Sequence, residues 1–157
     1  MIPAEGTSVR DQPPALARTL GYAGLLPQAA VVLVLGFGPA WWRFSALSLG
    51  YAYPALILSF VGGMWWGLAA RSDRPPAWVW VAAVAPSLVA LATAAPWAIG
   101  AAWPAPSLIV LGASLLGSLL VDRRLVADGL APAWWMSLRL PLSVGLGLLT
   151  LASAVFG

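Results

Sequence analysis

Apolar residues run along this chain in long blocks, and the polar positions gather between them. A helix needs about 20 apolar residues to cross a hydrocarbon core of ~30 Å. Residues 16–37 and 44–70 each satisfy that length and predict the first two spans. Residues 75–121 then carry no charge at all. As one helix rising 1.5 Å per residue, that run would be roughly 70 Å long, too long for one crossing. It must fold back, and Pro96, Gly100, Pro104 and Pro106 mark the turn. Spans three (77–97) and four (103–121) therefore form a tight hairpin, and span five covers 138–157. The predicted architecture is an all-α integral membrane protein, one domain over residues 15–157 with five transmembrane helices. Residues 1–14, rich in proline and polar groups, are expected to be a disordered cytoplasmic tail.

Charge orients these spans. Arg10, Arg18, Arg71, Arg74, Arg123, Arg124 and Arg139 fall on one side of a five-span arrangement, and Arg43 alone on the other. The positive-inside rule makes the first side cytoplasmic, with the N-terminus in and the C-terminus out. Four spans would scatter the arginines over both faces. Cleavage of span one at Gly38-Pro39-Ala40, as a signal peptide, is disfavoured by its long apolar region and by the interruptions at Pro27 and Gln28.

The ten tryptophans fall into two bands on this topology. Trp41, Trp42, Trp97 and Trp103 lie near the outer boundary; Trp65, Trp66, Trp78, Trp80, Trp134 and Trp135 lie near the inner one. Indole combines an apolar body with one N–H donor, so an interfacial belt accounts for most of them. Trp65 and Trp66 sit about a turn deeper and fit the belt least well. The segment 59–67, SFVGGMWWG, also carries small residues. Ser59, Gly63 and Gly67 continue a four-residue repeat begun by Tyr51 and Ala55, and so share one ridge of span two. Small residues let helices approach closely in lipid. Gly63 and Gly67 are therefore expected to face a neighbouring helix, with Ala113, Gly117, Ser114 and Ser118 forming similar strips on span four.

Composition narrows the chemistry. Of 157 residues, 61% are hydrophobic and 8% charged, with a mean hydropathy of +0.89. Soluble domains carry about a quarter charged residues, so lipid must cover much of this surface. Cys and His are both absent, which removes thiol catalysis, imidazole bases and the usual zinc or haem ligands. A net charge of +3, spread thinly, leaves no nucleic-acid footprint. No metal or cofactor is expected, and no span carries a charge near its centre.

Two weaker clusters remain. Gln28 beside Pro27, Tyr51 and Tyr53 around Pro54, and Ser87 beside Pro86 lie at mid-depth. Prolines free backbone carbonyls and can open a cavity, although kinked packing is the commoner outcome. The second cluster is cytoplasmic: Asp122, Arg123, Arg124, Asp128 and Arg139. Arg139 is expected to contact Asp122 or Asp73, and residues 125–136 to lie as a short interfacial helix anchored by Trp134 and Trp135.

Three motifs, YPALILSFVGGMWWG, APSLVALA and DGLAPAWWMSLRLPLSV, resemble in order and kind the bacterial family called domain of unknown function 3429, whose eukaryotic relatives are named transmembrane protein 69. The resemblance covers most of the chain from about residue 19. It implies a small multi-span membrane protein, and it supplies no reaction. Family members often carry His or Arg within a GG-x-H/R-W-G pattern where this chain has Trp65, so no activity resting on that polar residue is implied here.

Two function classes follow. The first is a non-enzymatic protein of the bacterial inner membrane, acting by helix packing as an accessory or assembly factor for a membrane-protein partner. The alternative is a binder or carrier of an apolar small molecule (a quinone, lipid or tetrapyrrole) in a mid-membrane cavity lined by Gln28, Tyr51, Tyr53 and Ser87 with Trp66 at its mouth. An enzyme is the least favoured class. A lipid-tail-sized pocket touching those residues would favour the binder, and a filled core the packing role.

Overall fold

A computed structural model describes residues 12–157. The tail expected over residues 1–14 lies, as far as residue 11, outside the described residues. The elements are α1 (Ala15–Ala23), α2 (Leu26–Phe37), a 3-10 turn (Ala40–Trp42), α3 (Arg43–Ala70), α4 (Ala77–Ala92), α5 (Ala95–Ala98), α6 (Ala105–Ala127) and α7 (Trp135–Phe156). Together they make five helical segments long and apolar enough to cross a membrane.

Local sequence explains the breaks. Pro27 falls in the first turn of α2, where its missing N–H costs nothing, and the chain turns at Gly24 and Leu25 ahead of it. Span one is therefore discontinuous. Pro54, Pro86 and Pro141 instead sit inside helices that run on through them. The turn between the third and fourth spans contains α5 and Gly100, whose φ of 70° belongs to the left-handed region open to glycine.

The most extensive helix pairings are α6 with α7 and α3 with α4. In lipid, apolar side chains gain little by leaving one apolar medium for another, so close backbone approach and polar contacts must hold helices together. A Cβ on Gly62 would collide with the Ala83 carbonyl oxygen, so α4 crosses α3 where α3 has no side chain. Gly112 and Gly147 do the same for α6 and α7: a Cβ on either would come within 3.0 Å and 3.2 Å of the other's carbonyl oxygen.

This relocates the expected packing ridge. A Cβ on Gly63, Gly67 or Gly117 would meet nothing within 4 Å, and all three residues are exposed. Ser59 is half-buried. Gly62 packs and Gly63 does not, because one residue turns a helix by about 100° and moves the side chain to another face.

Two further boundaries differ from expectation. α6 continues to Ala127, six residues beyond 121, and α7 begins at Trp135. Residues 125–127 thus complete α6 and 128–134 form a loop, so no interfacial helix spans 125–136. Asp122 and Arg139 consequently lie on helices, not in a solvated loop.

The outer surface is apolar. Phe37, Phe44, Leu56, Phe60, Leu91 and Leu120 are each more than 60% exposed, a surface suited to lipid and not to water. The arginines sort to opposite ends. Arg18, Arg71, Arg74, Arg123, Arg124 and Arg139 lie toward the end where α3 gives way to α4. At the other end Arg43 donates to the main-chain oxygens of Phe156 (2.6 Å) and Gly157 (2.8 Å), fastening α3 to α7.

Candidate functional site

Helical spacing assembles the polar site. Ser118 and Asp122 are four residues apart on α6; Trp135, Arg139 and Ser143 repeat at the same interval on α7. Residues four apart share a helix face, so two short polar stripes meet along the α6–α7 contact. Asp122 is fully buried and Arg139 is 7% exposed. Arg139 Nε donates to Asp122 Oδ2 at 2.8 Å. The other carboxylate oxygen accepts two indole N–H groups, from Trp65 Nε1 and Trp135 Nε1, both at 2.9 Å. Arg139 Nη2 also donates to Ser118 Oγ at 3.3 Å, and Ser118 donates onward to the Leu115 carbonyl at 2.7 Å.

A buried carboxylate is tolerable only when its charge and its lone pairs are both answered. Here one guanidinium and two indoles do so, and the three donors come from α3, from the start of α7 and from one turn further along it. Trp65 and Trp135 therefore leave the interfacial belt and serve as internal donors. Trp65, in the middle of the GGMWWG segment, presents its N–H to Asp122.

Beside this hub lies a cleft of about 450 Å³ between α1, α3 and α7. Ala17, Gly21, Tyr53, Ile57 and Leu142 line its body, and Trp134, Arg139 and Ser143 its polar end. Leu20 and Phe60 also line it and are each 62% exposed, so the cleft opens sideways on the lipid-facing surface. Its wall is almost wholly apolar. The Tyr53 hydroxyl is already engaged within the protein, donating to the carbonyl of Gly24, which also lines the cleft. A second, almost wholly apolar groove of about 390 Å³ lies between α2 and α3, walled by Val31, Trp42, Leu49 and Leu56.

Of the residues expected to line one mid-depth cavity, Gln28, Tyr51, Tyr53, Ser87 and Trp66, only Tyr53 lines either of these two clefts. Gln28 is fully buried and bridges α3 and α7, donating from Nε2 to the Gly50 carbonyl at 3.2 Å and to Ser153 Oγ at 3.1 Å. Tyr51 points toward α4, with its hydroxyl 3.2 Å from Thr93 Oγ1 and its ring edge-on to Trp103 at 5.6 Å. Ser87 is exposed, and Trp66, 49% exposed, stacks edge-on against Trp80. Alternate polar residues along a helix point in different directions, so shared depth does not make a shared cavity.

Asp73 is exposed, and neither ion pair among the described residues includes it. The second pair, Arg124 with Asp128 at 3.9 Å, is superficial; Arg124 also lies 4.5 Å above the Trp78 ring, and Trp78 donates to Asp128 at 3.2 Å. Such exposed contacts contribute about 0–1 kcal/mol each. Ser143, Trp65 and Trp135 were absent from the expected polar site, although the spacing of 135, 139 and 143 on one helix face is visible in the sequence.

Fold and site together define a polytopic membrane protein of five helical segments with a charge-neutral polar hub at one end. The chain belongs to the family described as Protein of unknown function (DUF3429), whose model matches residues 13–155. No curated protein and no solved structure matches it.

Proposed function

We propose that this is a non-enzymatic protein of the bacterial inner membrane that binds an apolar small molecule in the cleft between α1, α3 and α7. The observation that supports this reading most is the cleft itself. Its volume of about 450 Å³ falls within the usual range for small-molecule sites, roughly 300–1,000 Å³. Its lateral mouth admits a molecule dissolved in the bilayer without passage through water. A plug tests it. Ala17→Trp places an indole in the cleft wall at a half-buried position of α1. A photoreactive alkyl probe in vesicles is expected to label α1 and α7 peptides of the natural chain and to lose most of that labelling in the plugged variant. Equal labelling of both would remove the cleft from consideration.

The same reading sets the arginine-rich end in the cytoplasm, with the N-terminus in and the C-terminus out. A reporter active only in the periplasm, fused after Gly157, is expected to be active. Activity of a cytoplasm-only reporter at that position would contradict the orientation.

A second reading, an accessory role through helix packing, draws on the exposed Gly63, Gly67 and Gly117, which no helix among the described residues covers. For that role, Gly67→Leu should release a co-purifying membrane partner while leaving the chain's own melting temperature unchanged. Retention of every partner would exclude that strip as a docking face.

A further inference from the structure

We propose that the polar end of the α1–α3–α7 cleft reads an uncharged carbonyl oxygen carried on a hydrocarbon body, with Arg139 and Ser143 as the donors. This rests on the cleft being a binding site, and adds to it the chemistry of the occupant.

Two donors point to an acceptor. A guanidinium has five N–H groups. Arg139 uses its Nε–H for Asp122 and one Nη2–H for Ser118; its other N–H groups have no hydrogen bond among the described residues, although the side chain lies in the cleft wall. One turn further along the same face, Ser143 is 2% exposed and its hydroxyl has no hydrogen-bond partner. Other helical hydroxyls in this protein bond back to the carbonyl four residues earlier: Ser48 to Phe44, Thr150 to Leu146, Ser153 to Leu149. Ser143 does not, and a buried hydroxyl left unpaired is costly. Ser143 lines the same cleft as Arg139 with its hydroxyl turned just beneath the wall, so a rotation about its Cα–Cβ bond is what brings the donor to an occupant. A carbonyl oxygen has two lone pairs and can accept from both.

Charge decides that the acceptor is neutral. Asp122 already cancels the Arg139 charge at 2.8 Å, and no other ionisable carboxylate or guanidinium lines the cleft. A carboxylate or phosphate would bring a net negative charge into an apolar wall, where unpaired charge is strongly disfavoured. A cation would face the guanidinium. The rest of the wall, including Leu20, Ile57, Phe60 and Leu142, offers only hydrocarbon contact. Two sources carry this chemistry in a bilayer: the acyl ester of a glycerolipid and the ring carbonyl of an isoprenoid quinone.

Binding of four probes of matched chain length to the purified protein, read by native mass spectrometry, separates the outcomes. They are an alkyl benzoquinone, a diacylglycerol, an alkylbenzene and a fatty carboxylate. At least one carbonyl probe is expected to bind about 10-fold more tightly than the alkylbenzene, and the carboxylate no more tightly than the alkylbenzene. Whichever carbonyl probe gains identifies the source. Ser143→Ala adds no volume and should weaken the favoured probe about 3- to 10-fold, the equivalent of one ordinary hydrogen bond, while leaving the alkylbenzene unchanged. Ser143→Thr, which keeps a hydroxyl, should restore most of the loss. An alkylbenzene bound as tightly as both carbonyl probes, or a carboxylate bound most tightly, would overturn the carbonyl assignment and leave the cleft standing. Failure of all four probes to distinguish the natural chain from Ala17→Trp would instead overturn the cleft reading beneath it.

Discussion

Asp122→Ala is expected to lower the stability of the bundle by about 3–5 kcal/mol, the cost of stranding a buried charge whose partner has been removed. The mechanism is specific. Arg139, 7% exposed, would lose its counter-charge, and the indole N–H groups of Trp65 and Trp135 would lose the one acceptor they share. Arg139→Ala should cost a similar amount for the converse reason, since the fully buried Asp122 carboxylate would keep two neutral donors and no cation. Replacing both by Leu removes charge and counter-charge together and should cost much less than the sum, because buried ion pairs exchange for apolar residues at little net cost. Thermal unfolding in detergent, followed by tryptophan fluorescence, gives all three values. Additive losses would mean that the two side chains do not act as a pair.

Gly62→Ala should destabilise by about 1–3 kcal/mol through overpacking, whereas Gly63→Ala should be neutral or stabilise by up to about 1 kcal/mol. The first methyl group would collide with the Ala83 carbonyl oxygen, on backbone that cannot move without shifting α4 away from α3. The second would meet nothing within 4 Å and would only remove a flexible residue from a helix interior. Adjacent glycines that differ in sign separate packing from composition. A loss at Gly63 equal to that at Gly62 would put a helix where the structure has open surface.

Much of this molecule is legible in its sequence, and the residues show where that stops. Spans are set by apolar length against bilayer thickness, a one-dimensional property, so all five segments emerge from the hydropathy of the chain. The charge-free stretch 75–121 had to fold back, and its glycine and prolines do mark the turn. Which face of each helix meets which neighbour is a rotational property, and lipid-facing and core-facing positions are both apolar here. That is why Gly62 and Gly63 were indistinguishable by type. It is also why Gln28, Tyr51 and Ser87, at similar depths, point in separate directions. The polar hub was partly legible: Asp122 lies in the last part of one helix and Arg139 in the first part of the next, and their approach follows from a short connection. Trp65 and Trp135 were hidden because an indole near a membrane boundary has two uses, belt anchor and buried donor, with one composition. The longer α6 was hidden because Asp122, Arg123 and Arg124 look like a loop to any hydropathy argument, although a carboxylate answered by three donors is stable inside a helix bundle.

The hub and the cleft share Arg139 and Trp135, and this links stability to binding. Asp122 holds the guanidinium in place and neutralises it, so the cleft's polar end keeps donors without a net charge. Loss of the pair should therefore weaken any cleft ligand as well as the fold.

The most direct measurement is the mass of the protein released intact from its native membrane into the gas phase. The account predicts a 1:1 complex with an uncharged apolar molecule, which survives in the natural chain and is absent from Ala17→Trp prepared in the same way. Release of the bare chain alone from the natural membrane, with a mass identical in kind to that of the plugged variant, would contradict it.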